Sequence, residues 1–307
     1  MPVAAHPDFA LLSDSWRLAL EADGYSPATV RSYLGAVRNL ATWLADHHPG
    51  TGPADTTRDQ IRAWVVDTRN RTSSSTARTW FPAVRGFFRW AVEEGECPSD
   101  PTDGLKTPRP NDQTTPVLSL DQIRAILGTC NRATFRDRRD AAIIYVFADG
   151  GLRLAEVAGL TVDAVEIRDR ILFVEGKGTN RSGPRRRAVP VGVKAARALD
   201  RYLRERRRHP YADLDTLWLG DRGRPTLGAD GIKAALQRRA ALVGVKLHPH
   251  MFRHTWASQF RAAGGQEGDL MVLGGWRSRQ MLDRYGRVDA AERAQQAYRR
   301  LALGDRL

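Results

Sequence analysis

Residues 150–156 read Gly-Gly-Leu-Arg-Leu-Ala-Glu, and this stretch separates two different sequence patterns. Before it, apolar side chains recur at the three- and four-residue spacing of amphipathic helices. After it, residues 165–191 alternate between apolar and polar side chains as strands do, with turn residues at 168–170 and 176–184. Helical spacing returns at about residue 193. We therefore predict a mainly helical chain with a small antiparallel sheet among its helices.

The first hundred residues predict a compact bundle of four helices. Residues that favour helix starts precede the apolar patterns: Ser26 before Pro27, then Thr56 or Thr57, then the serine run 73–75. The aromatic side chains of this part fall on single helical faces. They are therefore expected to form a core rather than a platform for stacked bases.

A proline-rich segment divides the chain. At 307 residues the chain exceeds one typical core, and residues 96–116 contain five prolines with little apolar pattern. Ser119 and Gln122 then form a capping-box signature for a new helix. We expect a helical domain over 1–105, a linker over 106–116 and a second domain over 117–307.

The charge of the chain points to a polyanionic partner. The formal net charge is +13, and it is unevenly distributed: residues 1–110 carry −1 and residues 111–307 carry +14. Most of the cations are arginine, whose planar fork can bond two phosphate oxygens at once. Charge alone would also fit a merely basic surface.

Several classes of protein are disfavoured. No apolar run approaches the ~18 residues that span a bilayer, and the N-terminus lacks the pattern of a signal peptide. The two cysteines, Cys97 and Cys130, cannot build a disulfide framework, so a cytoplasmic, reducing location is expected.

A set of phosphate-binding and proton-transferring residue types lies in the second domain. Taken singly, each has a commonplace interpretation. Arg153 could be a surface residue held by Glu156 one turn later, and Lys177 could be a solvated lysine at a hairpin tip. Trp276 could be core, and a tyrosine such as Tyr285 beside an arginine is common.

His250 and Arg253 share a helical face at i, i+3 spacing. The competing interpretation is a metal site, because His250 and His254 have the i, i+4 spacing of zinc helices. However, the Glu of the His-Glu-x-x-His motif is missing and neither cysteine is near. We expect no metal and no cofactor.

Together these residues resemble the tyrosine recombinase (phage integrase) family. The match runs over about 117–295 and is strongest in three boxes, in family order: 150–156, 250–255 and 276–285. The interval of nine residues from Trp276 to a terminal tyrosine is also that of the family. Lys177 between two glycines is similar to the family's hairpin lysine.

The resemblance extends to the domain organisation. The N-terminal bundle and the proline-rich segment resemble the family's core-binding domain and strap. Because the chain begins directly at that bundle, it resembles the simple two-domain Xer-like or Cre-like members of the family.

The resemblance implies a site-specific DNA recombinase. Tyr285 would attack the scissile phosphate and form a 3′-phosphotyrosyl link, without ATP. The implied catalytic set is Tyr285, Arg153, Lys177, His250, Arg253 and Trp276, with Glu156 in support and Arg181, Arg185 and Arg187 contacting DNA.

The implied partners are double-stranded recombination sites and further copies of the chain, up to a tetrameric synapse. A helical pattern over 290–303 would either cap the protein's own core or dock onto a neighbouring protomer. The alternatives are a type IB topoisomerase, which shares this residue set, and a DNA-binding protein without activity.

Two features depart from the usual family pattern. Most members have His at the position of Trp276, whereas a minority, including the Cre type, have Trp. An indole N–H can donate to phosphate but cannot transfer a proton, so acid–base work would fall to His250 and Lys177. The hairpin loop over 176–184 is also somewhat long.

Overall fold

A computed structural model describes residues 5–109, 116–176, 185–221 and 223–276, together with residues 278, 295, 298 and 299. The chain divides into two compact units, Met1–Gln113 and Thr114–Leu307. The expected domain boundaries at 105 and 117 remain predictions. The fold prediction is confirmed: the chain is mostly helical with one small antiparallel sheet.

The first unit is a four-helix bundle. Its helices are α1 (Pro7–Ala22), α2 (Pro27–His47), α3 (Arg58–Arg71) and α4 (Ser74–Glu93). The most deeply buried aromatic rings are those of Trp64, Phe81, Phe87 and Phe88. The expectation that the aromatics of this unit form a core is confirmed for these four rings.

The predicted helix starts are also observed. Ser26 accepts a hydrogen bond from the backbone of Thr29 at 3.2 Å, with Pro27 as the first helical residue. Of the two threonines considered, Thr57 caps α3, in a capping box with Gln60. These local bonds satisfy donors that the first helical turn cannot satisfy itself.

The second unit surrounds a three-stranded sheet with seven helices in the described residues. Its elements are α5 (Leu120–Gly128), α6 (Phe135–Gly150), α7 (Leu154–Ala158), β1 (Val165–Glu166), β2 (Ile171–Gly176), β3 (Arg185–Pro190), α8 (Val193–Arg206), α9 (Ala229–Ala241), α10 (His250–Ala262) and α11 (Glu267–Gly274). The sheet order is β1-β2-β3, and both pairs are antiparallel.

Helix α6 is the centre of this unit. Ile143, Ile144, Val146 and Phe147 are all fully buried, so the helix is enclosed on several sides. It packs against α8, α9 and α10. Its C-terminal end therefore delivers the glycine pair at 150–151 into the interior, next to the helix that carries His250 and Arg253.

No helix among the described residues is long and apolar enough to cross a membrane.

Candidate active site

Two Gly-Gly pairs, at 150–151 and 274–275, end α6 and α11. The second glycine of each pair is left-handed, with φ of 57° and 63°, a conformation that is costly for residues with a Cβ. The two turns supply the acceptors for one guanidinium. Arg253 donates to the carbonyl of Gly151 at 2.7 Å and to that of Gly274 at 2.6 Å.

The glycines also admit two tryptophan rings. A Cβ on Gly151 would lie 2.2 Å from the ring of Trp256, and one on Gly274 would lie 2.1 Å from the ring of Trp276. Such approaches are possible only for glycine. The two indoles stack on each other with centroids 6.0 Å apart and planes 21° apart.

Arg253 completes this packed cluster. Its side chain is fully buried, and its Cζ lies 4.0 Å from the centroid of the Trp276 ring. This is within the range of a cation–π contact. Arg253 thus links the ends of α6 and α11 by hydrogen bonds, and its guanidinium also contacts the face of the Trp276 indole.

Arg153 lies at the exposed edge of the same cluster. It precedes α7, and its backbone N–H and its Nη1 donate to the two carboxylate oxygens of Glu156 at 2.9 and 2.7 Å. Its Nη2 donates to the carbonyl of Gly275 at 3.2 Å. The side chain is 37% exposed, so a ligand can reach it from solvent.

Glu156 is buried and receives a second arginine. Arg187, on β3, donates from Nη1 and Nη2 to the two carboxylate oxygens at 3.1 and 2.9 Å, and from Nε to the carbonyl of Leu273 at 2.9 Å. Burial alone would raise the pKa of Glu156, but the hydrogen bonds from Arg187 and Arg153 outweigh it and hold the pKa below its ordinary value. Glu156 is therefore an anion between two cations.

His250 is the first residue of α10 and is exposed at the surface. Desolvation by its neighbours, followed by the charges of Arg253, His248 and Arg153, lowers its pKa. Its ring meets that of His254 edge to face at 4.7 Å. Burial, then the neighbouring His250 and Arg253, lowers the pKa of His254 to about 4. Both imidazoles are therefore neutral near pH 7, and His250 can accept a proton.

Several residues of the predicted site fall outside the described part of the chain. They are Tyr285, Lys177, Arg181 and the side chain of Arg185. Lys177 directly follows β2, whose last residue Gly176 pairs with Arg185 at the start of β3.

One ring of the site is not marked by the sequence pattern. Trp256 lies just outside the box 250–255, although its ring stacks on Trp276 and lies over Gly151. The two Gly-Gly pairs are the sequence feature that indicates this packing, because each marks a helix end where a ring or a guanidinium approaches the backbone. The expected DNA contact of Arg187 is untested, and its three described hydrogen bonds all go to protein atoms.

The chemistry of the assembled groups suits a phosphodiester. Two guanidiniums meet at the turn 274–276, one of them partly exposed, and a neutral imidazole lies on the helix that carries Arg253. Fixed cations of this kind stabilise charge that develops on phosphoryl oxygens. Among the described residues there is no group of three or more His, Cys, Asp or Glu side chains that could hold a metal ion.

Comparison with known families matches both units. Residues 116–292 match the phage integrase family, and residues 14–95 match the N-terminal SAM-like domain of phage integrases. Among curated relatives, the tyrosine recombinase XerC of Pseudomonas fluorescens is 34% identical over 238 residues, which cover 76% of each chain. XerC of Pseudomonas syringae pv. syringae is 35% identical over 191 residues, covering 62% of this chain and 61% of the relative.

Solved structures share the fold at low sequence identity. The Tn1549 transposon integrase in complex with transposon right end DNA has a TM-score of 0.70 at 19% identity, and the match covers 96% of this chain and 99% of that one. A lambda integrase dimer bound to a COC′ core site has a TM-score of 0.69 at 15% identity, covering 90% and 76%.

Proposed function

The chain belongs to the phage integrase family and is a site-specific DNA recombinase, and on that premise we propose that it cuts and rejoins DNA with Tyr285 as the nucleophile. The observation that carries the proposal is the pair of guanidiniums, Arg153 and Arg253, gathered on the turn 274–276 from which the chain runs to Tyr285.

Arg153 and Arg253 are proposed to bind the non-bridging oxygens of the scissile phosphate. Their hydrogen-bond acceptors, the carbonyls of Gly274 and Gly275, belong to consecutive residues, so both cations serve one small region. Trp276 is anchored there by its ring contacts and, by its indole N–H, is proposed to donate to phosphate. We call the guanidiniums of Arg153 and Arg253 the phosphate clamp. The nine residues after Trp276 are long enough to bring the phenol of Tyr285 back to this clamp, since each extended residue spans ~3.3 Å.

The proposed reaction is a two-step phosphoryl transfer. The phenolic oxygen of Tyr285 bonds to phosphorus while the bond to the 5′-oxygen breaks, giving a 3′-phosphotyrosine and a free 5′-hydroxyl. His250 takes the phenolic proton, and Lys177 supplies a proton to the departing oxygen. A 5′-hydroxyl of a partner strand then attacks the phosphotyrosine and releases the tyrosine. One phosphodiester is exchanged for another, so no ATP is needed.

The proposed partners are double-stranded recombination sites and further copies of this chain. Support comes from related structures: one lambda integrase is a dimer on a core site and another is a tetramer on a Holliday junction. The +14 charge of residues 111–307 supports contact with DNA. Because DNA is the substrate, we propose that the protein acts in the cytoplasm at the nucleoid. Arg181 and Arg185 stay proposed DNA contacts.

A suicide substrate tests the proposal directly. A nicked half-site that loses a short 5′-fragment after cleavage traps the covalent protein–DNA adduct. The unchanged protein is expected to form the adduct, and Tyr285→Phe is expected to form none while binding the same duplex with unchanged affinity. An adduct of undiminished yield with the phenylalanine variant would refute the assignment of Tyr285.

The same preparation distinguishes the alternative functions. A recombinase exchanges strands between two marked duplexes, whereas a type IB topoisomerase relaxes supercoils without exchange. A DNA-binding protein without activity forms no adduct at all. The family match and the XerC relatives support the recombinase.

A further inference from the structure

We propose that Arg187 is a positioning residue for cleavage rather than a DNA contact, and that it acts by holding Glu156 against Arg153. The proposal rests on the function proposed above. It assigns β3 a role in building the phosphate clamp, besides its pairing with β2, the strand that ends just before Lys177.

The hydrogen bonds of Arg187 reach two different parts of the chain. Its Nη1 and Nη2 face the carboxylate of Glu156 in α7, and its Nε faces the carbonyl of Leu273 in α11. This is the two-pronged geometry that guanidinium provides and ammonium does not. One side chain thus joins the strand, the helix after Arg153 and the helix before Trp276.

The position of Arg187 is confined on further sides. It pairs with Val174 across the β2–β3 ladder, and its side chain is only 13% exposed. A Cβ on Gly275 would lie 3.2 Å from its Nη1. A glycine at 275 therefore allows the guanidinium to lie against the same turn that accepts a hydrogen bond from Arg153.

The consequence for catalysis passes through Glu156. That carboxylate sets the direction of the Arg153 side chain through Nη1 and fixes the Arg153 backbone through its N–H. Without Arg187, Glu156 would lose two of its four described hydrogen bonds and its pKa would rise. A protonated or displaced Glu156 would leave the Arg153 side chain with one described hydrogen bond, to the carbonyl of Gly275. The guanidinium would then be held less firmly, and small misplacements of catalytic groups are costly.

The neighbouring residue supplies a matched control. Arg186 is adjacent on β3 but points to the opposite face of the sheet, where its Cζ lies 4.5 Å from the centroid of the half-buried Phe173 ring. Arg186→Gln removes the same charge from the same strand without touching Glu156. Any effect of lost charge on the hairpin as a whole should therefore appear in both variants.

The experiment measures single-turnover cleavage of the suicide substrate and the dissociation constant of the half-site. Arg187→Gln is expected to slow cleavage on the order of 10–100-fold at saturating DNA, with the dissociation constant within about twofold of the unchanged protein. The cleavage rate of Arg187→Lys should lie between those of Arg187→Gln and the unchanged protein, because one ammonium cannot replace both Nη donors of the guanidinium. Arg186→Gln should cleave at the unchanged rate.

Two further readouts separate positioning from general damage to the fold. Glu156→Gln should cleave about as slowly as Arg187→Gln. The double variant Glu156→Gln/Arg187→Gln should be no slower than either, since both substitutions break the same chain of hydrogen bonds from Arg187 through Glu156 to Arg153. The cleavage rate is expected to fall at low pH as Glu156 is protonated. In Arg187→Gln this fall should begin at a higher pH, because the pKa of Glu156 rises in that variant. A rise in pH should partly restore the rate.

Each outcome decides between the two roles. Arg187→Gln could instead bind the half-site more weakly and cleave at the unchanged rate, with the slope of log affinity against log salt concentration smaller by about one. That result would make Arg187 a phosphate contact and overturn the proposal. Additive losses in the double variant would also overturn it. If the unchanged protein formed no adduct, the proposed function itself would fail. If the unchanged protein and all Arg187 variants formed the adduct at the same rate, the proposed function would stand and only the role of Arg187 would be refuted.

Discussion

At the scale of single residues, the two arginines of the clamp have different environments and should have different consequences when changed. Arg253 is fully buried and joins two helix ends, whereas Arg153 is 37% exposed at the edge of the site. The first therefore contributes to both the fold and the reaction. The second contributes chiefly to the reaction.

Lysine substitutions test this difference. Arg153→Lys is expected to slow cleavage by on the order of 10²–10³-fold, the usual effect of losing one oxyanion donor, with a melting temperature within about 2 °C of the unchanged protein. Arg253→Lys should slow cleavage similarly and also lower the melting temperature by about 4–10 °C, because a buried carbonyl loses its donor. Cleavage assays and circular dichroism melts give the two quantities. Equal melting temperatures for the two variants would contradict the argument.

His254 makes a pH prediction. Its pKa is lowered to about 4 in the folded chain, against ~6.5 in an unfolded chain. Between these values the unfolded state binds more protons, so the free energy of unfolding should fall as pH decreases from about 6.5 toward 4. His254→Gln, which cannot be protonated in this range, should show a shallower fall.

Urea midpoints at pH 7 and pH 5 measure the effect. A residual slope will remain in His254→Gln, because the pKa values of His250 and His209 are also lowered. Glu156 contributes little between pH 7 and pH 5, because an unfolded glutamate is largely ionised there (pKa ~4.3) and the pKa of the folded Glu156 is lower still. An unchanged slope in the variant would show that His254 does not carry the effect.

At the scale of helices and strands, local sequence signals predicted most of the fold. Helix starts followed from capping residues at Ser26, at Thr56 or Thr57, and at Ser119, and the observed caps are Ser26, Thr57 and Ser119. The sheet followed from alternation after the glycine break, and its three strands lie within the predicted range. Such features depend on residues a few positions apart, which is why a single sequence reveals them.

The internal arrangement of the site could be predicted only in part. Residue types and box spacing identified the candidates, but not which groups meet. The link of Arg187 to Glu156 spans 31 residues, and its link to Leu273 spans 86. The stack of Trp256 on Trp276 is equally dependent on packing. Such pairings arise from tertiary structure, and no local pattern encodes them.

A contact between helices gives the prediction at this scale. The backbone N–H of Leu118, just before α5, donates to the hydroxyl of Thr255 in α10 at 2.7 Å, and both residues are buried. Thr255→Val keeps the shape but removes the acceptor, so it should lower the free energy of unfolding by about 1–3 kcal/mol. Thr255→Ser keeps the hydroxyl and should cost less. Urea unfolding measures both, and an equal cost would refute the role of this bond.

At the scale of the whole molecule, the uneven charge should govern DNA binding. If residues 111–307, with a net charge of +14, neutralise 6–10 phosphates, affinity should fall on the order of 10³–10⁵-fold between 50 and 200 mM salt. Fluorescence anisotropy with a labelled half-site measures the slope. Replacing chloride by glutamate at constant cation concentration controls for anion effects on the protein. A slope near zero would rule out phosphate contacts as the main source of affinity.

The hydrogen bonds of Arg253 also have a consequence during synthesis of the chain. Its two carbonyl acceptors lie 102 residues before it and 21 residues after it. A nascent chain that has released α10 but not yet Gly274 offers this guanidinium only the earlier acceptor. The turn that gathers both arginines therefore forms late, after most of the catalytic unit has left the ribosome. A chain that ends before Gly274 therefore lacks one of the two described acceptors of Arg253 and the carbonyl of Gly275 that accepts from Arg153.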